Sequence, residues 1–124
     1  MTPSRPYLIR ALYDWIVDNG WTPYLLVNAR AEGVVVPREH VENGKIILNI
    51  NRQAIDNLEL GNEDISFSAR FDGKPINVVV PVKGAMAIYS KENGQGMVFS
   101  DEDWEPDDPN PKDKKKKPHL KLVE

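Results

Sequence analysis

Residues 65–82 constrain the fold most tightly. From Ile65 to Phe71 the chain alternates, with Ile65, Phe67, Ala69 and Phe71 on one side and Ser66, Ser68 and Arg70 on the other. Such a period of two marks a half-buried strand, because successive strand side chains point to opposite faces. Asp72-Gly73 follows, a dipeptide suited to the tight turn of a hairpin. Ile76 to Val82 then forms a β-branched return run. Pro81 has no backbone N–H, so it marks a sheet edge or a strand end.

A lone hairpin is unstable in water, and the flanking sequence supplies further strands. Val34-Val35-Val36 runs up to Pro37, and Lys45 to Ile50 follows the turn signal Glu42-Asn43-Gly44. Ala85 to Ser90 and Met97-Val98-Phe99 flank a second turn, Glu92-Asn93-Gly94. Leu25-Leu26-Val27 is one more short strand, and residues 52–58 read as a helical turn. Many short strands at this spacing predict a small barrel or sandwich of about six strands. Ahead of them, residues 6–19 read as a helix, with Ser4 as N-cap, Pro6 in the first turn and Gly20 as the stop. Its apolar residues, from Leu8 to Val17, span about 200° of the helical wheel. One core needs a stripe of little more than about 100°. Either the helix sinks deeply into its own domain, or it buries a second side against a partner.

The chain has 124 residues, which suits one domain with a sizeable core. Residues 1–100 carry 10 Lys+Arg against 11 Asp+Glu, so the body is near neutral. That argues against a nucleic-acid surface, although an RNA-binding module is the rival reading for a small barrel. The composition changes at Ser100. Residues 101–113 hold seven acids and one Lys, and residues 114–117 are four lysines. Pro106, Pro109 and Pro111 punctuate this stretch, and Trp104 is its single large apolar residue. Residues 101–117 therefore read as a disordered linker that cannot bury surface. Trp104 either packs back on the domain or touches a partner. Apolar residues return in segment 118–124, Pro-His-Leu-Lys-Leu-Val-Glu. With no core to join, this is either a recognition motif that orders on binding or an incidental terminus.

The absence of cysteine excludes a disulfide framework and thiolate metal sites, and it fits a reducing compartment. No apolar run approaches the roughly 18 residues of a membrane span, and the first residues open no signal peptide. His40 and His119 are the only histidines. Ser66, Ser68 and Asp56 lie in no nucleophile motif, and no metal-ligand spacing occurs. The expectation is a non-enzymatic cytoplasmic protein with no cofactor, no metal and no membrane or nucleic-acid partner.

Several short stretches, in order, give the chain a familiar look. They are Arg5-Pro6-Tyr7-Leu8 with Arg10-Ala11 and Trp15, then Asp18-Asn19, Thr22-Pro23 and Ile47-Leu48-Asn49-Ile50. Asn57-Leu58-Glu59-Leu60, Phe67-Ser68-Ala69-Arg70-Phe71, Val80-Pro81, Ala87-Ile88-Tyr89 and Glu92-Asn93-Gly94-Gln95-Gly96-Met97 complete the set. Over residues 2–99 and again over 118–123 the chain resembles the stringent starvation protein B family, SspB, adaptors for the ClpXP protease. The resemblance implies a mainly β domain with an N-terminal α-helix, a small open Sm-like β-barrel over residues 1–100, followed by a disordered C-terminal tail. It implies a homodimer formed through the helix, with Tyr7, Ala11 and Trp15 on the dimer flank. It implies a groove for the ssrA tag, the peptide appended to stalled translation products, at Phe67, Ser68, Ala69, Arg70 and Val41. Ala69 is the one small residue on an otherwise bulky face: either a dent for a peptide side chain or a crowded core position. Arg70 could pair with an acidic tag residue. Finally, the resemblance implies that Pro118, Leu120, Lys121, Leu122 and Val123 dock on the ClpX N-terminal domain. Two features depart from the family pattern: four lysines replace its usual Gly-Gly-Arg-Pro, and Glu124 stands where a basic residue is usual.

Overall fold

The computed structural model describes residues 3–99. Helix α1 spans Arg5–Asp18, with a proline in its first turn as anticipated. Ser4 precedes it but makes no side-chain cap bond. Its own backbone is already helical, at φ −81° and ψ −19°, whereas a capping hydroxyl needs an extended residue to reach back. Gly20 ends the helix at φ +77°. The Gly20 and Trp21 amides donate to the carbonyls of Val17 and Ile16, at 2.9 and 3.0 Å, which satisfies the last turn.

Seven strands follow: β1 Pro23–Asn28, β2 Lys45–Asn49, β3 Asp56–Leu60, β4 Asp64–Phe71, β5 Lys74–Pro81, β6 Ala85–Ser90 and β7 Gly96–Val98. They form a four-stranded sheet in the order β2-β1-β6-β7 and a three-stranded sheet in the order β3-β4-β5. All pairings are antiparallel. The domain is mostly β with one N-terminal helix, and the sheets are not closed into a barrel. The central hairpin runs as read, with Phe71 opposite Lys74 across the Asp72-Gly73 turn. Pro81 is the last residue of β5, an outer strand of its sheet.

Two local readings are corrected. Residues 34–36 form no strand; Val35 alone makes a bridge, exchanging both backbone hydrogen bonds with Val79 at 2.8 and 3.0 Å. Arg38 holds this segment as a loop by donating to the carbonyls of Ala29 and Val34, at 2.6 and 3.0 Å. Residues 52–58 are not a helical turn throughout, because β3 begins at Asp56. Its register shifts between Asp56 and Glu59, and Asn57 adopts φ +59°. That irregularity erases the alternation by which a strand is recognised.

The core fills the space between α1 and the inner faces of both sheets. Ile9, Tyr13 and Ile16 of α1 meet Leu25, Val27, Ile46, Leu48, Ile65, Phe67, Val78, Val80 and Ile88, all buried. Burial of Tyr13 raises its phenol pKa, with the Arg52 guanidinium pulling the other way. Arg5 is 3% exposed and fastens the start of α1. It donates to the carbonyls of Ala85 and Lys83 and lies 5.3 Å over the Phe99 ring. The predicted breadth of the helix has a visible counterpart: Tyr7, Ala11 and Trp15 remain exposed on its far side, and Val17 is exposed on the opposite flank.

Candidate functional site

The long β1–β2 connection builds one wall of the site. Its end is a tight turn in which Glu42 and Lys45 exchange backbone hydrogen bonds at 2.8 and 3.0 Å. Asn43 and Gly44 both take positive φ, +55° and +75°, the geometry that suits a two-residue hairpin loop. A short 3-10 turn, Arg38–His40, precedes it. Across from this loop stands the tip of the β4–β5 hairpin. His40 Nε2 and Asp72 Oδ2 lie 3.3 Å apart, and the His40 ring is 5.5 Å from the Phe71 ring.

Between the loop and the hairpin tip lies a cleft of about 450 Å³. Leu26 of β1 and Ile46 and Ile47 of β2 supply its apolar lining, and Phe71 adds an aromatic wall. His40, Glu42, Asn43 and Lys45 supply the polar groups. This combination of apolar walls with a few polar groups suits an organic ligand.

Backbone edges frame the same cleft. β2 is an outer strand of its sheet. The β3–β4 register ends at Asp56 opposite Ser68, so Ala69, Arg70 and Phe71 have no strand partner on that side. Other outer strands are blunted. β7 is three residues long, β3 is irregular, and β5 is met by the Val35 bridge and carries Pro75 and Pro81. Such devices stop a sheet edge from pairing with another chain. β2 is regular over five residues, and its Ile47 is 53% exposed. An extended peptide could add its backbone hydrogen bonds here.

The family described as "Stringent starvation protein B" matches residues 3–124. A relative named "Stringent starvation protein B homolog", from Haemophilus influenzae, is 50% identical over 102 residues, covering 82% of this chain and 68% of its own. This chain belongs to the stringent starvation protein B family.

Against the groove expected for an SspB protein, the structure sorts the residues as follows. Ala69 and Val41 are partly buried and packed against the core. Val41 sits between His40 and Glu42, which both line the cleft. Phe67 is 4% exposed and belongs to the core. Ser68 is half-buried and donates to Asn77 Oδ1 at 2.8 Å. Arg70 is exposed and donates to the Gly73 carbonyl at 3.4 Å. None of these five lines the cleft itself, whereas Phe71, two residues beyond Ala69 on the same face, does. Sequence reasoning missed Leu26, His40, Lys45 and Ile47. The Asn43-Gly44 turn signal located their hairpin, but nothing local showed that it would face the tip of another. The helix-flank residues Tyr7, Ala11 and Trp15 are all exposed, at four-residue intervals that align on one face. The expected docking residues Pro118, Leu120, Lys121, Leu122 and Val123, and the linker 101–117, lie outside the described residues.

Glu39, His40 and Asp72 bring ligand-type atoms within 4.8 Å of one another, but all three side chains are exposed. The His40–Asp72 hydrogen bond accounts for most of that arrangement. Among the described residues, no helix is long and apolar enough to cross a membrane.

Proposed function

We propose that this chain is a cytoplasmic adaptor that holds ssrA-tagged proteins and tethers them to the ClpX unfoldase, enhancing degradation by ClpXP. The observation that carries the reading is the open seam. A regular, unblunted strand edge and an apolar cleft lie beside the unpaired end of β4. A peptide laid along β2 would gain main-chain hydrogen bonds from the edge. Specificity would come from alternate side chains meeting Ile47, Phe71 and the neighbourhood of Ala69. Family membership supports an adaptor of this kind.

In this reading the exposed ridge of Tyr7, Ala11 and Trp15 forms the homodimer contact, and Pro118 to Val123 engage the ClpX N-terminal domain. A fully flexible linker of 17 residues has an r.m.s. span of about 23 Å. A tether that short raises the local concentration of tag at the unfoldase to about the mM range. No chemistry by the adaptor is required.

The test uses the full chain and a form lacking residues 118–124. Deletion is expected to leave affinity for ssrA peptide unchanged while abolishing stimulation of ClpXP degradation. Normal stimulation by the shortened protein would refute the tether. Failure of the full chain to bind ssrA peptide would refute the cleft reading.

A further inference from the structure

The sequence holds three Asn-Gly pairs: Asn19-Gly20, Asn43-Gly44 and Asn93-Gly94. Asparagine before glycine is prone to cyclise, because glycine has no side chain to hinder attack by its backbone nitrogen on the asparagine Cγ. Solvent access does not separate the three, since each of these asparagines is exposed. Nor does the glycine backbone, at φ +77°, +75° and +74°.

Hydrogen bonding does separate them. Asn19 Nδ2 donates to the Trp15 carbonyl at 2.7 Å, and the Gly20 N–H donates to the Val17 carbonyl at 2.9 Å. Asn93 Oδ1 accepts from the Gln95 N–H at 3.0 Å, and the Gly94 N–H donates to the Ser90 carbonyl at 2.7 Å. In both pairs the side chain and the attacking nitrogen are tied to other groups. Asn43 differs. Among the described residues its carboxamide has no hydrogen-bond partner, and neither does its carbonyl or the Gly44 N–H. These last two belong to the central peptide of the turn, whose ends are held by the Glu42–Lys45 hydrogen bonds. Positive φ at both Asn43 and Gly44 is the type I′ pattern. Rotating the central peptide turns type I′ into type II′ and keeps both ends in place, so the Gly44 nitrogen can swing toward the side chain at little cost.

Arg30 supplies a charge. Its guanidinium lies against Gly44, in the space a Cβ would occupy. A cation there favours the nitrogen as it loses its proton and the oxyanion that forms at Cγ. At Gly20 and Gly94 nothing lies within 4 Å of the corresponding space.

We propose that Asn43 is a self-modifying site at the cleft. The Gly44 nitrogen attacks the Asn43 Cγ and forms a C–N bond. The carboxamide C–N bond breaks, and its nitrogen leaves as ammonia with the proton lost from Gly44. Water then opens the succinimide at either carbonyl, giving aspartate or isoaspartate at position 43. Water is the only co-reactant. The product adds a negative charge beside Glu42 in the cleft lining. The isoaspartate form also lengthens the backbone inside the two-residue turn that leads into β2. A peptide on β2 should then bind more weakly. That consequence rests on the adaptor reading, whereas the modification does not.

The experiment incubates the full chain in mildly alkaline buffer, with and without denaturant, and follows the three Asn-Gly segments by peptide mass spectrometry. In the folded protein Asn43 is expected to convert about tenfold or more faster than Asn19 or Asn93, whose hydrogen bonds must first break. In denaturant the three rates should converge. Arg30→Gln should slow conversion at Asn43 and leave the other two sites unchanged. Comparable rates at the three sites in the folded protein would overturn the proposal. So would a gap that persists in denaturant, because sequence and not structure would then set it. Affinity for ssrA peptide, measured on the same samples, should fall as Asn43 converts, and constant affinity would overturn its role at the cleft. Fresh protein that binds no peptide would count against the adaptor reading alone.

Discussion

Replacing Phe71 with alanine separates the cleft from the rest of the surface. Phe71 is half-buried at the end of β4, lines the cleft and lies beside His40. Truncating a fully buried Phe costs about 3–5 kcal/mol. A half-buried ring at a strand end is expected to cost about half of that, so a domain stable by about 5–15 kcal/mol stays folded. Binding should suffer more visibly. An aromatic side chain buries about 150–250 Å² when fully covered. With about a third at most still open, a docked peptide can cover about 70 Å² more at the upper end, which at about 25 cal/mol/Å² amounts to about 1.8 kcal/mol. At about 1.4 kcal/mol per decade, Phe71→Ala should weaken ssrA peptide binding about 20-fold. Fluorescence anisotropy with labelled peptide reads this directly, with far-UV circular dichroism to confirm folding. Tyr7→Ala, on the helix flank, is the matched aromatic control and should leave affinity unchanged. A folded Phe71→Ala protein that binds within threefold of the parent would show that the cleft is not the docking site.

Trp15→Asp places a charge in the exposed ridge of α1. If that ridge pairs two copies, losing a tryptophan anchor of about 2 kcal/mol raises the dimer dissociation constant about 30-fold, read by sedimentation equilibrium, with peptide affinity per subunit preserved. An unchanged dimer would place the contact elsewhere. Glu92 accepts hydrogen bonds from the Thr22 amide and hydroxyl, both at 2.8 Å, and these hold its carboxyl below the usual range. Because the folded value is depressed, the contribution is complete above the ordinary carboxylate range and fades as pH falls through the folded value. The melting-temperature gap between the parent and Glu92→Gln should therefore narrow from about pH 7 to about pH 3, and a constant gap would contradict the assignment.

What could be read from the sequence follows the physics of each element. The β4–β5 hairpin was legible because alternation, a β-branched return and Asp72-Gly73 all agree. Helix α1 was legible because Ile9, Tyr13 and Ile16 recur on one face while Tyr7, Ala11 and Trp15 fall outside it. The segment at 34–36 misled because three valines have strand propensity, yet a strand needs a partner along its length and only Val35 finds one. Strand β3 stayed hidden because a left-handed Asn57 breaks its period. The cleft was half legible. The Phe67–Phe71 segment ends at Phe71, which lines it, but the facing wall comes from residues 40–47. Their approach to Phe71 is set by how two sheets pack, and periodicity along either segment is blind to that.

The same packing explains why an open fold suits a binding task. If β2 paired with the end of β4, the seam would vanish, and with it both the exposed edge and the space beside Phe71. Closure would satisfy more backbone groups, so leaving the seam open forgoes stability that the sequence could otherwise have had. Unpaired edges also invite aggregation, which is why the outer strands β3, β5 and β7 are irregular, met by a bridge or short. Sparing β2 alone from those defences makes sense if an extended chain is meant to come and go there. The argument is exposed to one substitution. Ile47→Pro removes a backbone N–H from β2. The Ala29 and Ile50 amides donate to the Gly44 and Pro23 carbonyls across the β1–β2 pair, so in the alternation of an antiparallel ladder the Ile47 N–H points away from β1. Peptide binding should therefore fall while the β1–β2 pairing survives, and unchanged affinity in the folded variant would refute docking on this edge.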